Sequence, residues 1–399
     1  MKKDNLFEIL HGPEVEQLEL EQILLEHFHT SMGLSSSEIT YPGHERDYAL
    51  RLTYDRSQLV EIIAGPRFSA TDVDTLRERI EKELLAPAGM RVGRVVLFSS
   101  VPVTGHFRYR DVFQLVPVPA GAPRPNFTMA EHPFFLEFHF RTSPNGSIRH
   151  IRRAILERDL ELVVSGLFEF SIRSHGRMAR HHWVVPQQDF TEPWISAYLQ
   201  EMYTWPGLAL EDDNLSDTRT VPRLAEVPRA DYYTRSGIGA ERVLEIPANL
   251  ESFLERFFSL SREDREAFLR ACFWFQHART AYSYSRSAAF TAAVSAVEAL
   301  MPDVKGPEVC EKCGRPIGVG PTKLFIEFVE RFAPGGATEG DRRKIYSIRS
   351  KLSHGGSLLP SDRRIWSPGL RPDHIVEWDD IGTAWRLVRT VLVNWLATV

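Results

Sequence analysis

The hydrophobic pattern changes near residue 250, and this change limits what the chain can fold into more than any other feature. From there on, apolar residues recur at intervals of three and four positions, which is the spacing of an amphipathic α-helix. Six segments carry this pattern: 251–260, 262–283, 285–301, 321–333, 339–354 and 380–398. Helix-breaking residues follow three of them, at Pro302, at 334–336 and at Gly355 with Gly356. We therefore predict an all-helical region with antiparallel bundle packing.

The first half of the chain combines strand-like runs with three helical segments. The helices are predicted at 14–29, 70–86 and 148–165. Runs of β-branched and aromatic residues predict a hairpin and several further strands, at 47–65, 93–100, 108–118, 134–141, 168–174 and 181–186. The proline-rich residues 118–133 are expected to form a loop. The fold class is therefore α+β, with a mixed α/β N-terminal domain at 1–245 and an all-α domain at 246–399.

Length and composition indicate a globular protein. A chain of 399 residues exceeds the usual size of a single core, and 43% hydrophobic with 25% charged residues is ordinary globular composition. The net charge of -5 gives no overall basic surface, so a nucleic-acid site would have to be local. Three cysteines do not suggest a disulfide framework and fit a reducing compartment. With no export signal and no apolar stretch of roughly 20 residues, we expect a cytoplasmic protein that makes no membrane contact.

The stretch IRSKLSHGG near the end of the 339–354 helix combines an arginine and a histidine. Ile345, Ile348 and Leu352 form one apolar stripe that would face the bundle. Arg349 flanks this stripe, and His354 follows five positions later, before two glycines. A basic residue in the last helical turn with a glycine cap is also an ordinary helix ending, and spacing alone favours such a cap over a site.

Other polar residues of the same helix could support such a site. Tyr346 lies on the side of the arginine, and Ser350 lies one turn before the histidine. The helix also carries a local basic stretch that either contacts RNA or forms a solvated face. Its members are Arg342, Arg343, Lys344 and Lys351.

Residues 250–399 resemble a HEPN domain of the Apea-like group. The resemblance rests on three segments in order: RTAYSYSRSAAFTAAVSAVEALMP at 279–302, KIYSIRSKLSHGG at 344–356 and VRTVLVNWLA at 388–397. The second contains the Arg-x4-6-His motif of the family. Many members carry asparagine or aspartate directly after the arginine, where this chain has Ser350.

The resemblance implies a metal-independent endoribonuclease in which two protomers line one cleft as a homodimer. RNA supplies its own nucleophile, the 2′-hydroxyl, so the reaction requires no cofactor. The resemblance assigns proton exchange to His354 and the grip on the scissile phosphate to Arg349. Glu298 either orients Arg349 or His354 or makes a structural ion pair. The implied products are a 2′,3′-cyclic phosphate and a 5′-hydroxyl.

Cys310 and Cys313 stand two residues apart before a glycine, as in a zinc knuckle. Tetrahedral zinc needs four ligands, and this pair is half of a set. Cys272 and His277 could complete it, although Cys272 could equally be a small buried hydrophobe. A second protomer could also donate its pair across a symmetry axis. Structural zinc, a reduced loop and a redox pair therefore stay open as interpretations.

Two other polar stretches, at 172–183 and 105–111, suit either single-stranded nucleic acid or the exposed face of a strand. Walker and Rossmann patterns are absent from the sequence, which argues against nucleotide hydrolysis. The family resemblance implies a phage-defence or toxin-type effector. In that case residues 1–245 would act as a sensor, with a phage-derived trigger or ligand. The alternative is a non-catalytic RNA-binding or dimerisation module, with recognition carried by the N-terminal domain.

Overall fold

The protein is mixed α+β, with a sheet-containing N-terminal region and a helical C-terminal region. The computed structural model describes residues 10, 15–42, 46–55, 57–122, 132–174, 183–186, 197–200, 205–234, 242–302, 308–309, 316–317, 320–363 and 372–399. Among these residues, every helix is too short or too polar to cross a lipid bilayer.

The chain folds into two compact units that the sequence did not predict in this form. The first comprises residues 1–93, 139–157 and 211–214, and the second comprises 94–138, 158–210 and 215–399. Residues on both sides of position 245 belong to the second unit, so the units do not follow a single division there. The reason is that the chain enters each unit more than once, which local periodicity cannot reveal.

The first unit packs two helices against an antiparallel meander. Helix α1 is Gln17–Phe28 and helix α2 is Ala70–Arg79, which continues as the π-helical segment Ile80–Leu85. The meander strands are β1 Met32–Ser35, β2 Glu38–Tyr41, β3 Leu50–Asp55 and β4 Gln58–Ala64, in sequential order. Their shared core includes the fully buried Leu20, Leu52 and Leu76. The predicted helices at 14–29 and 70–86 and the predicted hairpin are thereby confirmed.

A six-stranded sheet follows, and it confirms most of the remaining strand predictions. Its strands are β5 Met90–Ser99, β6 Phe107–Tyr109, β7 Phe113–Pro117, β8 His132–Arg141, β9 Ile172–Arg173 and β12 Glu211–Asp212. The order is β12-β5-β8-β7-β6, and β9 pairs with β5. Helix α3, Gly146–Leu167, follows β8 and confirms the helix predicted at 148–165. The strand predicted at 168–174 shortens to β9.

Short elements complete this part of the chain. Strands β10 Trp183–Pro186 and β11 Ala197–Gln200 pair with each other. Strand β13 Ala225–Val227 runs parallel to β14 Glu245–Pro247, and helix α4 Arg229–Thr234 lies between them in sequence.

The C-terminal region confirms the six predicted helices. They are α5 Leu250–Ser259, α6 Arg262–Ala281, α7 Arg286–Glu298, α8 Pro321–Phe332, α9 Glu339–Ser353 and, after the short α10 Pro360–Arg363, α11 Pro372–Thr398. A two-stranded ladder, β15 Glu308–Val309 with β16 Pro316–Ile317, lies between α7 and α8 in sequence. The packed faces of the helices bury large side chains such as Phe268, Phe275 and Phe290.

Helix α11 begins eight residues before its predicted start at 380. Its first two turns expose the apolar side chains Ile375, Val376 and Trp378, each about half accessible to solvent. An apolar stripe that enters the core begins only at Ile381. The early turns therefore lack the periodic pattern on which the sequence prediction relied.

A carboxylate fixes the segment after α9 against the start of α7. Asp362 accepts hydrogen bonds from the backbone N–H groups of Arg286 and Ser287, at 3.0 and 2.7 Å, and from the Ser285 hydroxyl at 2.8 Å. The Leu359 N–H donates to the Ser287 hydroxyl at 2.8 Å. The first N–H groups of a helix lack partners within the helix, and these bonds satisfy them. The negative charge of Asp362 also interacts favourably with the positive N-terminal end of the helix dipole.

Candidate active site

Helix α9 carries most of the predicted site and is well defined at both ends. It begins with a capping box between Thr338 and Asp341, and it buries Ile345 against the bundle. It ends where Gly355 adopts a left-handed conformation with φ of 69°. The Gly356 N–H then donates to the Lys351 carbonyl at 2.9 Å. The glycines predicted to stop this helix therefore form its C-terminal cap.

An ion pair joins Arg349 to the neighbouring helix. Its Nη2 donates to Oε2 of Glu298, the last residue of α7, at 2.5 Å. The arginine side chain is 25% exposed and the glutamate side chain is 23% exposed, so the pair is accessible but partly shielded. The buried Nε of Arg349 has no hydrogen-bond partner among the described residues. The guanidinium is therefore oriented by one carboxylate and still has donors for another acceptor.

Tyr346 completes this group one turn earlier on α9. Its ring centroid lies 5.9 Å from the guanidinium carbon of Arg349 and 5.0 Å from the ring of Phe325. Burial raises the pKa of Tyr346, and the charge of Glu298 raises it further, against an opposing effect of Arg349. The phenol therefore lies close to the Glu298 carboxylate. Glu298, Tyr346 and Arg349 form the polar cluster of this site.

His354 lies apart from that cluster. It is the exposed C-cap of α9, and its backbone N–H donates to the Ser350 carbonyl at 3.1 Å. Five helical residues correspond to about 7.5 Å along the axis and about 140° around it. No hydrogen bond joins the described side chains of Arg349 and His354. On an ideal helix, the two predicted catalytic residues would therefore lie on different sides.

The predicted basic stretch is largely engaged in ion pairs. Arg342 is 5% exposed, contacts Glu330 and donates to the Ala337 carbonyl at 2.8 Å, so we omit it from the RNA-binding surface. Arg343 pairs with Glu339 at 2.8 Å and Lys344 with Asp380 at 2.6 Å, and both cations stay exposed. Lys351 is exposed on the last turn of α9.

The predicted zinc pair, Cys310 and Cys313, lies outside the described residues. Among the described residues, no three His, Cys, Asp or Glu side chains form a group that could hold a metal ion. Cys272 is fully buried, and burial raises the pKa of its thiol, which disfavours the thiolate that zinc needs. Cys272 is therefore a small hydrophobic residue of the core. Zinc at the other two cysteines stays a prediction.

Cys272 packs closely against Gly166 of helix α3. A Cβ at this glycine would come within 2.4 Å of Cys272 Sγ and 3.2 Å of its Cβ. We expect Gly166→Ala to lower the free energy of unfolding by about 1–2 kcal/mol, because overpacking outweighs the helix propensity of alanine. Chemical denaturation would measure the change. Gly340→Ala is the control, since a Cβ at that helical glycine meets no atom closer than 3.6 Å. Equal stability of both variants would contradict the close packing.

Of the two other polar stretches, the structure describes 105–111 completely and 172–183 in part. In the 105–111 stretch, Arg108 pairs with Asp111 at 2.8 Å and Arg110 pairs with Glu255. These cations are engaged with protein carboxylates, which favours the interpretation as a polar strand. In the 172–183 stretch, residues 175–182 lie outside the described residues.

Sequence reasoning did not identify a cleft in the second unit where α6, α7 and α11 carry arginines and aromatic residues. A signal for it exists in α11. Trp378 and Trp385 are seven residues apart, and Arg389 follows Trp385 by four, so all three share one helical face.

Comparisons with protein-family models, curated proteins and solved structures returned no match to this chain. The resemblance to Apea-like HEPN domains therefore rests on the three sequence segments alone.

Proposed function

We propose that this protein is a metal-independent endoribonuclease whose C-terminal helical region is a HEPN-type domain. The observation that supports this most is the ion pair between Glu298 and Arg349. It holds an accessible guanidinium at a defined orientation on the helix that ends in the exposed His354. The arginine of the predicted motif is thus oriented by a carboxylate. An ordinary solvated helix end does not need such a carboxylate.

Arg349 would bind the scissile phosphate. A guanidinium has five N–H donors in a planar fork, and Glu298 accepts from one nitrogen. The others can stabilise the charge that develops on the phosphate oxygens during transfer. The carboxylate would repel an anion that came from its own side. The phosphate therefore approaches on the side of the guanidinium away from Glu298.

His354 would transfer protons. The 2′-oxygen of the ribose forms a bond to phosphorus while the bond from phosphorus to the 5′-oxygen breaks. A neutral imidazole accepts the proton of the 2′-hydroxyl, and a protonated imidazole gives one to the leaving 5′-oxygen. The products are a 2′,3′-cyclic phosphate and a 5′-hydroxyl, with no water consumed and no metal involved.

A homodimer would bring these groups together. Arg349 and His354 would lie about 140° apart around an ideal helix, so the proposal takes the two groups at one phosphate from two copies. A groove between two copies offers two imidazoles, one as base and one as acid, together with two guanidinium groups. We accordingly propose that the homodimer is the catalytic form.

The biological role follows from the family resemblance. We propose an anti-phage or toxin-type effector in which residues 1–245 sense a phage-derived trigger or ligand. Lys351 would contribute positive charge near the bound RNA, and Arg343 and Lys344 would do so by exchanging Glu339 and Asp380 for RNA phosphates. The alternative is a non-catalytic RNA-binding or dimerisation module, with recognition carried by the N-terminal domain.

Cleavage of end-labelled single-stranded RNA by the purified full-length protein in EDTA tests the proposal. We expect shortened products that carry a 2′,3′-cyclic phosphate, because the 2′-hydroxyl is the nucleophile. A DNA strand of the same sequence is the control and should stay intact. RNA that is bound but uncut would favour the non-catalytic alternative, and loss of cleavage in EDTA would contradict the metal-independent mechanism.

A further inference from the structure

The first unit contains three arginines that gather around one carboxylate, and we call them the arginine surface. Arg91 lies near the start of β5, Arg149 and Arg153 lie one turn apart on α3, and Glu211 is the first residue of β12. The Glu211 carboxylate lies 3.9 Å from Nη1 of Arg91, 4.0 Å from Nε of Arg149 and 3.6 Å from Nη1 of Arg153. Arg153 also lies 3.7 Å from Glu157 of its own helix.

The ion pairs with Glu211 are looser than a structural ion pair of the same helix. Arg152 of α3 donates to the two oxygens of Glu19 at 2.7 and 2.9 Å, and these side chains are 11% and 5% exposed. The distances to Glu211 exceed the usual N–H···O hydrogen-bond length of about 2.7–3.2 Å. The side chains of Arg91 and Arg149 are 35% and 41% exposed. Since ion pairs of this kind contribute little to stability, the fold does not depend on them.

The carboxylates on this surface belong to residues 211–213, with the sequence EDD, which we call the acidic segment. Asp213 is 83% exposed and lies 3.5 Å from the buried Nε of Arg91, which has no hydrogen-bond partner among the described residues. Within the described part of the chain, Arg91 and Arg149 form ion pairs with the acidic segment alone. The charge of these two arginines is therefore compensated only while the acidic segment is in place.

The acidic segment also pairs with the backbone of β5. Strand β12 runs antiparallel to β5, with Glu211 opposite Gly93 and Asp212 opposite Val92. Strand β12 has two residues, whereas β5 has ten. Such a short strand has few backbone hydrogen bonds to lose. An extended segment of another protein can take its place by the addition of a strand to the sheet edge.

We propose that the arginine surface is a docking site for an acidic, extended segment of a partner protein, and that the acidic segment occupies this site in the free protein. The chain's own residues have the two properties that the partner needs. Their carboxylates lie beside the arginines, and their backbone pairs with β5. A free anion would satisfy only the charges. The proposal concerns binding and does not depend on the ribonuclease activity.

Fluorescence polarisation with the full-length protein tests the docking site. The probe is a fluorescein-labelled peptide with the sequence of residues 207–216, GLALEDDNLS, and the control peptide is GLALQNNNLS. The double variant Glu211→Gln with Asp213→Asn weakens the hold of the acidic segment. We expect it to bind the probe at least about tenfold more tightly than the unchanged protein does, because its own segment competes less. We expect the control peptide to bind at least about tenfold more weakly than the probe.

A further substitution locates the binding. Added to the double variant, Arg149→Gln should weaken probe binding at least about tenfold, because one charge-assisted contact is lost. The matched control is Arg67→Gln, since Arg67 of the first unit is 50% exposed and lies 3.4 Å from Asp47. Circular dichroism checks that each variant is folded. Glu211→Gln alone replaces the double variant if the latter unfolds.

Four results would overturn the proposal. Equal binding of the probe and the control peptide would exclude recognition by charge. Equal affinity of the Arg149 and Arg67 variants would place the binding elsewhere. If the unchanged protein binds the probe as tightly as the double variant, the acidic segment does not occupy the site. Tighter binding of a 2′-O-methyl RNA oligonucleotide than of the probe, with dependence on Arg149, would assign the surface to nucleic acid instead.

Discussion

Replacing His354 by asparagine should slow RNA cleavage by about 100-fold or more while the protein stays folded. Loss of a general acid or base typically costs about two to four orders of magnitude in rate. His354 is exposed at the end of α9, so its side chain contributes little to packing. Cleavage of labelled RNA at saturating protein concentration measures the effect.

The chain offers a matched control for this variant. His29 is also an exposed C-cap, at the end of α1, and its φ of 63° is a conformation that asparagine tolerates. His29→Asn should cleave at the rate of the unchanged protein. If both variants cleave normally, His354 has no catalytic role, and a different assignment is required.

Arg349→Lys belongs to the same experiment. Lysine keeps the positive charge and can still pair with Glu298, but it lacks the planar fork that binds two phosphate oxygens at once. We expect a clear loss of cleavage with little loss of stability. Arg262→Lys is the corresponding control on the surface of α6. Full activity of Arg349→Lys would show that charge alone is sufficient there.

Replacing Arg279 by methionine should destabilise the second unit by about 3 kcal/mol or more, which corresponds to a loss of about 5 °C or more in Tm. The guanidinium is surrounded by protein and donates to four backbone carbonyls at 2.6 to 3.0 Å. These carbonyls belong to the segment from Ser165 to Phe170, which leads out of α3. Without the arginine, buried acceptors lose their donors, and their desolvation is no longer compensated.

Two further variants separate the hydrogen bonds from the charge. Arg279→Lys keeps the charge but cannot reach four carbonyls from one nitrogen, so its stability should be intermediate. Arg262→Met removes an arginine from the exposed start of the same helix and should change Tm little. Thermal unfolding followed by circular dichroism measures all three. If Arg279→Met unfolds at the same temperature as the control, the four bonds contribute nothing to stability.

Local pattern was sufficient to predict helices, but not the two compact units. Helices α5 to α9 begin and end within three residues of their predicted bounds, because each buries an apolar stripe. The capping side chains of Ser261, Ser285 and Thr338 fix where three of them start. The units depend on contacts between distant residues, such as those of Arg279 with the end of α3. Periodicity contains no information about such contacts.

The sequence pointed to the residues of the candidate site, but not to the contacts between their side chains. The motif identified Arg349 and His354, and the position of Glu298 on an apolar helix indicated a partner for it. Which partner it contacts depends on how α7 and α9 pack, and only the structure specifies Arg349. The burial of Arg342 was not predictable because its neighbours in sequence are exposed.

Helix α7 joins two contacts that lie about 18 Å apart along its axis. At its start, the Asp362 carboxylate binds the backbone N–H groups of Arg286 and Ser287, and at its end Glu298 accepts from Arg349. A substitution that loosens the Asp362 contacts would therefore also shift the carboxylate that orients the Arg349 guanidinium.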